Sequence, residues 1–257
     1  LNPDKSIQTP GTFAAIICAA GSSSRMGGVK KEYCPIPGTS ATVLGRSVLA
    51  FAANPCITRI AITVPENGEE SARQALPVEL RDDPRLLFVA GGSTRGASVH
   101  NALAALSACS ADYVLIHDGC RPWVSVGLIE RIIDAVQQCH AVIPLLPLVD
   151  TPKEINLPFD SGSVPFVTRH LRRSTTGLAQ TPQAFAYGRL LSAYEKAAVS
   201  GVSGYTDDAE VWGRYCGPVA VIPGEIENKK ITFPGDLEAE DAHAETQSRR
   251  DRRDGGF

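Results

Sequence analysis

Arg25, Lys30 and Lys31 follow closely on a run of small residues, Ala19-Ala20-Gly21-Ser22-Ser23-Ser24. Small side chains let a backbone approach a ligand, and successive N–H groups cradle phosphate oxygens. The cations behind them supply the opposite charge. The segment has neither the GK[ST] ending of a Walker A loop nor GxGxxG spacing. A second segment, GGSTRGAS (91–98), offers close backbone approach at Gly91 and Gly92 and a hydroxyl at Ser98. A third, HDGCRP (117–122), carries Asp118, suited to Mg²⁺ or to a sugar hydroxyl, with Arg121 three residues later. A structural Asp–Arg pair is the plainer alternative there, and His117 is expected to pack or hydrogen-bond. Asp150-Thr151, Arg172-Arg173, Thr206-Asp207-Asp208 and Lys229-Lys230 are each weaker, because an isolated charged pair is usually solvated surface. Their value lies in adding to the same pattern.

The elements that must position these residues are legible as short apolar runs. TFAAIICAA (12–20), IAITVP (60–65), LLFVAGG (86–92), YVLIHDG (113–119) and AVIPLLPLV (141–149) have strand length. Apolar character on both faces suits the centre of a parallel sheet. Helical spacing appears between them at 41–54, 94–108 and 125–139, the last with Ser125 as N-cap, and again at 186–200 and 207–216. The expected fold is α/β: a doubly wound, mostly parallel nucleotide-binding sheet flanked by helices. Residues 150–180 break the rhythm with prolines and short β-like stretches, too long for a plain loop, and predict a protruding β-arm. VAVIP (219–223) and KKITF (229–233) read as final strands and 235–245 as a closing helix. In such sheets ligands bind beyond the carboxyl ends of the strands, where the segments above all fall. The expected layout is a flexible lead over 1–11, one domain over 12–245 and a disordered tail over 246–257.

Composition narrows the partners. The 257 residues carry a formal net charge of −3, with 43% hydrophobic and 21% charged residues. That is an ordinary globular balance, and it does not attract nucleic acid as a whole. An anionic substrate therefore needs a local cationic pocket. The seven cysteines are scattered, odd in number and without a CxxC pair, which points to reduced thiols and a cytoplasmic setting. No stretch approaches the ~18–20 apolar residues of a membrane span, and no signal peptide is apparent.

Taken in order, AAG…R-M…K-x-Y, G-G…R…S, H-D-x-x-R-P, D-T with T-P-Q (181–183), and N-x-K-I-T with P-x-D-L (228–237) resemble the 2-C-methyl-D-erythritol 4-phosphate cytidylyltransferases across residues 14–237. The resemblance implies that Ala19, Ala20, Gly21, Gly91, Gly92 and Ser98 hold cytosine and ribose. It implies that Arg25, Lys31 and Lys230 are the catalytic cations. Lys31 is preferred to Lys30 because it precedes the x-Tyr of the motif. Asp118, Arg121 and Thr206 fall around the sugar phosphate, with Asp118 also at Mg²⁺. Thr151 and Arg173 fall on an arm that reaches the substrate of a partner subunit in a homodimer; Arg172 competes with Arg173, which the distance to T-P-Q selects. Ser93 replaces the usual Asp after the double Gly, and Gly119-Cys120 replace two small residues.

The implied substrates are CTP and a polyol phosphate. A phosphate monoester carries about −1.5 to −2 charge at neutral pH and needs no strong base to attack. Three rivals stand beside this reading. A ribitol-5-phosphate cytidylyltransferase would use the same chemistry, but the AAG opening and short arm favour methylerythritol phosphate. A glycosyltransferase would be expected to carry D-x-D, and HDG lacks the second Asp. A non-catalytic nucleotide-binding module has less need of the Arg25, Lys31 and Lys230 set. The polar C-terminal end leaves a longer fusion enzyme open.

Overall fold

A computed structural model describes residues 11–23, 26–200 and 204–237. Arg25, the lead up to residue 10, the tail, and the part of the expected closing helix beyond residue 237 lie outside the described residues.

Strand β1 (Phe13–Cys18) is central, paired in parallel with β2 (Ile57–Val64) on one side and β4 (Tyr113–Asp118) on the other. Its continuous apolar run is explained by two cores. Phe13, Ala15 and Ile17 point into one, Ala14 and Ile16 into the other, and all five are buried. A strand with helices on both faces has no solvated side to reserve for polar residues. The first core takes Leu44, Val48 and Phe51 of helix α1 (Val43–Ala52) and the stripe Leu128, Ile129, Ile132, Ile133 and Val136 of α4 (Val126–Cys139). The second takes Val99, Ala102 and Leu103 of α3 (Arg95–Ala105), Leu190 and Tyr194 of α5 (Tyr187–Ser200), and Trp212 of α6 (Asp208–Tyr215). Each large apolar side chain so buried contributes roughly 1.5–3 kcal/mol. Ser125 does cap α4, accepting from the Leu128 amide at 2.9 Å.

The chain runs outward from β1 through β2 and β3 (Leu86–Ala90), then returns to the far side of β1 as β4. Beyond β4 come antiparallel β9 (Gln183–Ala186), then β5 (Ala141–Pro147) and β10 (Ala220–Pro223), with antiparallel β8 (Gly177–Ala179) also on β5. The eight strands are thus mostly parallel. The direction of winding reverses between β1 and β4, and such a switch point opens a crevice at the strands' carboxyl ends.

Two sequence expectations change. A short helix, α2 (Glu69–Gln74), falls between β2 and β3, where no helix is expected from the apolar pattern. Residues 229–233 are not a strand. Ile231 is fully buried beside Ile36, Val43 and Cys120, and its amide donates to the Cys120 carbonyl at 2.9 Å. The segment is pinned by that apolar anchor rather than by a strand ladder. The expected arm takes the form of a separate two-stranded antiparallel sheet, β6 (Lys153–Ile155) with β7 (Val167–His170), whose side chains are mostly exposed.

Candidate active site

A cleft of about 550 Å³ opens beyond β1 and β4, within the ~300–1,000 Å³ usual for small-molecule sites. Ala20, Gly21, Lys31, Gly92, Ser98, Asp118 and Lys230 all line it. The remaining described candidates divide between supporting positions and the arm.

The first wall is the loop after β1. Ala19 is fully buried and its amide donates to Thr63. Lys30 turns back onto the carbonyls of Ala19 and Gly21 and pairs with Glu32 at 3.3 Å. Its ammonium pKa is pulled down, chiefly by burial. Lys31 opens the 3₁₀ turn Lys31–Tyr33 and faces the other way: it is 8% exposed, and Nζ donates to the carbonyl of Ile231 at 2.9 Å. Lys30 thus holds the loop, while Lys31 lines the cleft next to the segment that carries Lys230.

The second wall is the turn after β3. A Cβ on Gly91 would come within 2.3 Å of the Ala20 Cβ, and one on Gly92 within 2.5 Å of the Ala97 Cβ. Only glycine permits this approach. The Ser98 hydroxyl accepts from the Gly92 amide at 3.0 Å and donates to the Thr94 carbonyl at 2.9 Å. Ser98 therefore fixes the turn from beneath.

Asp118 forms the floor at the carboxyl end of β4, only 7% exposed. Its Oδ2 accepts from Lys230 Nζ at 2.9 Å and faces Arg121 Nε at 3.5 Å, while Oδ1 faces Arg95 Nε at 3.3 Å. Burial by itself works to raise this carboxyl's pKa. Arg95, Lys230 and Arg121 overcome it and hold the group well below the usual carboxylate range. Lys230, rather than Lys229, reaches the carboxylate. Arg121 also donates to the Asn228 carbonyl at 2.8 Å, so the Lys230 segment is tied down from both sides.

His117 has no free nitrogen. Nε2 lies 3.1 Å from the Arg121 carbonyl and must donate to it. Nδ1 then accepts from the Thr181 hydroxyl at 3.0 Å, and that same oxygen accepts from the Asp118 amide. Burial pushes the imidazole down to about 4. It is a neutral structural bridge, as the sequence led one to expect. Two thiols line the cleft, and burial pushes Cys18 up to about 12 and raises Cys120, so both are neutral.

Thr206, Thr151 and Arg173 fall elsewhere. The amide and hydroxyl of Thr206 donate to Glu210 at 2.8 and 3.0 Å, a capping arrangement at the start of α6. Thr151 and Arg173 lie at the base of the arm, where Arg173 donates to the Val149 carbonyl at 2.6 Å. Arg95 is the cleft residue that the sequence reading left without a role. Its signal was the arginine within the quoted G-G…R…S motif. Asp208, its second carboxylate partner, was hidden among three adjacent polar residues.

Comparison with known proteins gives one answer. A family model described as 2-C-methyl-D-erythritol 4-phosphate cytidylyltransferase matches residues 13–246. The "Bifunctional enzyme IspD/IspF" of Mesorhizobium japonicum is 35% identical over 231 residues, covering 88% of this chain and 54% of the relative. The chain thus spans about half the length of the curated relatives it matches. A 4-diphosphocytidyl-2C-methyl-D-erythritol synthase structure from Anaerococcus prevotii superposes with a TM-score of 0.76 at 28% identity, over 92% of this chain and 97% of that one. The 2-C-methyl-D-erythritol 4-phosphate cytidylyltransferase of Thermus thermophilus gives 0.70 at 31% identity, over 91% and 99%.

Proposed function

The chain belongs to the 2-C-methyl-D-erythritol 4-phosphate cytidylyltransferase family, and from that premise we propose that it joins CTP to 2-C-methyl-D-erythritol 4-phosphate and releases pyrophosphate. The observation that carries this reading is the meeting of Lys31 and Lys230, from opposite ends of the sequence, in one cleft, with Lys230 on the Asp118 carboxylate. The product would be 4-diphosphocytidyl-2-C-methyl-D-erythritol, a step of isoprenoid biosynthesis.

In this account the substrate phosphate is already the nucleophile. One of its oxygens forms the new bond to the α-phosphorus, and the bond from that phosphorus to the bridging oxygen of the β-phosphate breaks. The difficulty is bringing two polyanions together, so the work of the protein is positioning and charge stabilisation. Lys31 and Lys230 offset negative charge at the α-phosphate as it becomes five-coordinate. Arg25, outside the described residues, joins them by resemblance. The backbones of Ala19, Ala20, Gly21, Gly91 and Gly92, held by Ser98, receive the nucleoside. Asp118 and Arg121 face the sugar phosphate, and Thr206, held on Glu210 at the head of α6, joins them by resemblance alone. Thr151 and Arg173 serve the cleft of a partner chain in a homodimer formed through the arm. The working unit is a single domain over 12–245 with the arm at about 150–180.

Mg²⁺ fits this donor set. Among the described residues no group of three or more His, Cys, Asp or Glu side chains gathers into a cage. Of the two carboxylates lining the cleft, Glu32 is paired with Lys30; one carboxylate, Asp118, beside substrate phosphates suits an ion that keeps much of its water. Asp118 would hold it together with the CTP phosphates, where it would neutralise charge on the departing pyrophosphate. Among the described residues no helix is long and apolar enough to cross a membrane, and a cytoplasmic setting suits the seven free thiols.

The test is pyrophosphate release with CTP, Mg²⁺ and each candidate phosphate. The reading predicts turnover with 2-C-methyl-D-erythritol 4-phosphate. Turnover with ribitol 5-phosphate alone would replace the substrate, and CTP binding without release would make the chain a nucleotide-binding module.

A further inference from the structure

Asp208 is fully buried at the first residue of α6, between a tyrosine and an arginine. The Tyr194 hydroxyl, from α5, donates to its Oδ1 at 2.6 Å. Its Oδ2 faces Arg95 Nη1 at 2.9 Å. The other end of the same guanidinium, Nε, lies 3.3 Å from Asp118 Oδ1 in the cleft. Arg95 is therefore stretched between two carboxylates, one in the core and one on the cleft floor.

A guanidinium left with one carboxylate tends to close on it with two parallel N–H bonds. Around Asp118 that closure has a consequence. Its Oδ2 already serves Lys230 at 2.9 Å and Arg121 at 3.5 Å. A forked Arg95 would take lone pairs from Oδ2 and press a further positive charge against Lys230. We infer that Asp208, backed by Tyr194, is a positioning residue: it draws Arg95 Nη1 into the core, so that Arg95 meets Asp118 through Nε and leaves Lys230 its place on Oδ2. Helices α5 and α6, on the face of the sheet away from α1 and α4, thereby set the geometry of a cation in the cleft.

The functional part of this inference rests on the proposed reaction; the geometric part does not. The experiment is a double-mutant cycle with kcat and KM measured for Asp208→Asn, Tyr194→Phe, Arg95→Met and the Asp208→Asn/Arg95→Met pair. Misplacement of a catalytic cation by about 1 Å costs up to about a hundredfold in rate. Asp208→Asn is expected to lower kcat about tenfold to a hundredfold with KM for both substrates nearly unchanged. Tyr194→Phe keeps the charge and removes one hydrogen bond, and it is expected to lower kcat by a few-fold. Because Asp208 acts through Arg95, the pair is expected to lose no more than Arg95→Met does by itself. Additive losses, or a lowered melting temperature with unchanged kcat, overturn the proposal. A crystal structure of the Asp208→Asn protein reads the geometry directly. Two Arg95 nitrogens on Asp118 with Lys230 displaced is the expected result, and Arg95 and Lys230 unmoved is the contrary one. Should Asp208→Asn fail to fold, the cycle and the structure are run with Tyr194→Phe. Should the wild type turn over none of the candidate phosphates, the proposed reaction fails while the crystal structure still decides the positioning.

Discussion

At the cleft, Asp118 is 7% exposed and shares its oxygens among three cations; on the arm, Phe159 and Phe166 are 86% and 68% exposed, and Val149 just before it is 83% exposed. The carboxylate is buried and the apolar groups are solvated, the reverse of the usual arrangement. The cleft can keep buried charge because its own chain supplies every counter-charge and hydrogen bond described above. The arm's contacts are exposed ones: its two short strands pair with each other, and Arg169 meets Glu154 at 2.6 Å on the solvated surface. One region is preorganised by its own fold, and the other presents apolar surface to solvent.

The comparison breaks most severely at Lys31. Replacing it with methionine keeps much of the stem and removes the cation. Turnover is expected to fall about 10²–10³-fold, as when a single oxyanion donor is lost, with the melting temperature little changed. Near-normal pyrophosphate release by this variant would remove Lys31 from the chemistry.

The cleft's self-sufficiency also predicts its weakness in acid. His117 titrates near 6.5 when unfolded and at about 4 when folded. Between those values the unfolded chain binds a proton that the folded chain refuses, so stability falls as pH drops from about 6.5 to about 4. The slope from this group is at most about 1.4 kcal/mol per pH unit. Denaturant midpoints of the wild type and His117→Gln across that window measure it; equal slopes would contradict the assignment. Asp118 adds its own loss only at lower pH, since its folded pKa lies below the carboxylate range.

Smaller effects are expected on the arm. Arg173→Ala should raise KM for the phosphate substrate by about tenfold, worth about 1.4 kcal/mol, while KM for CTP stays nearly constant. An equal rise in both would detach Arg173 from the substrate. Phe159→Ser should change the stability of the single chain by less than about 0.5 kcal/mol while weakening self-association in sedimentation analysis. A large loss of monomer stability would show that the arm packs on its own core after all.

How much of this was legible in the sequence depended on whether a residue's neighbours in space were also its neighbours in pattern. The strands around β1 were readable because Phe13 to Ile17 alternate between two cores and are apolar throughout. Asp118 and Lys31 were readable because each sits where a strand or its following loop ends. Choosing Lys230 over Lys229 took the family motif, since two adjacent lysines look alike until one meets Asp118. The 229–233 segment misled because only one of its β-branched and aromatic residues, Ile231, is buried, and it serves as an anchor rather than as part of a ladder. Arg95 and Asp208 were missed as a pair because they are over a hundred residues apart and belong to different helices. No local spacing encodes that contact.

The most direct test is a structure of the protein with CTP bound. Lys31 and Lys230 should both lie within hydrogen-bond reach of the α-phosphate oxygens, with the nucleoside against the Gly91-Gly92 turn. A triphosphate seated away from both lysines, or bound outside the cleft beyond β1 and β4, would contradict the account.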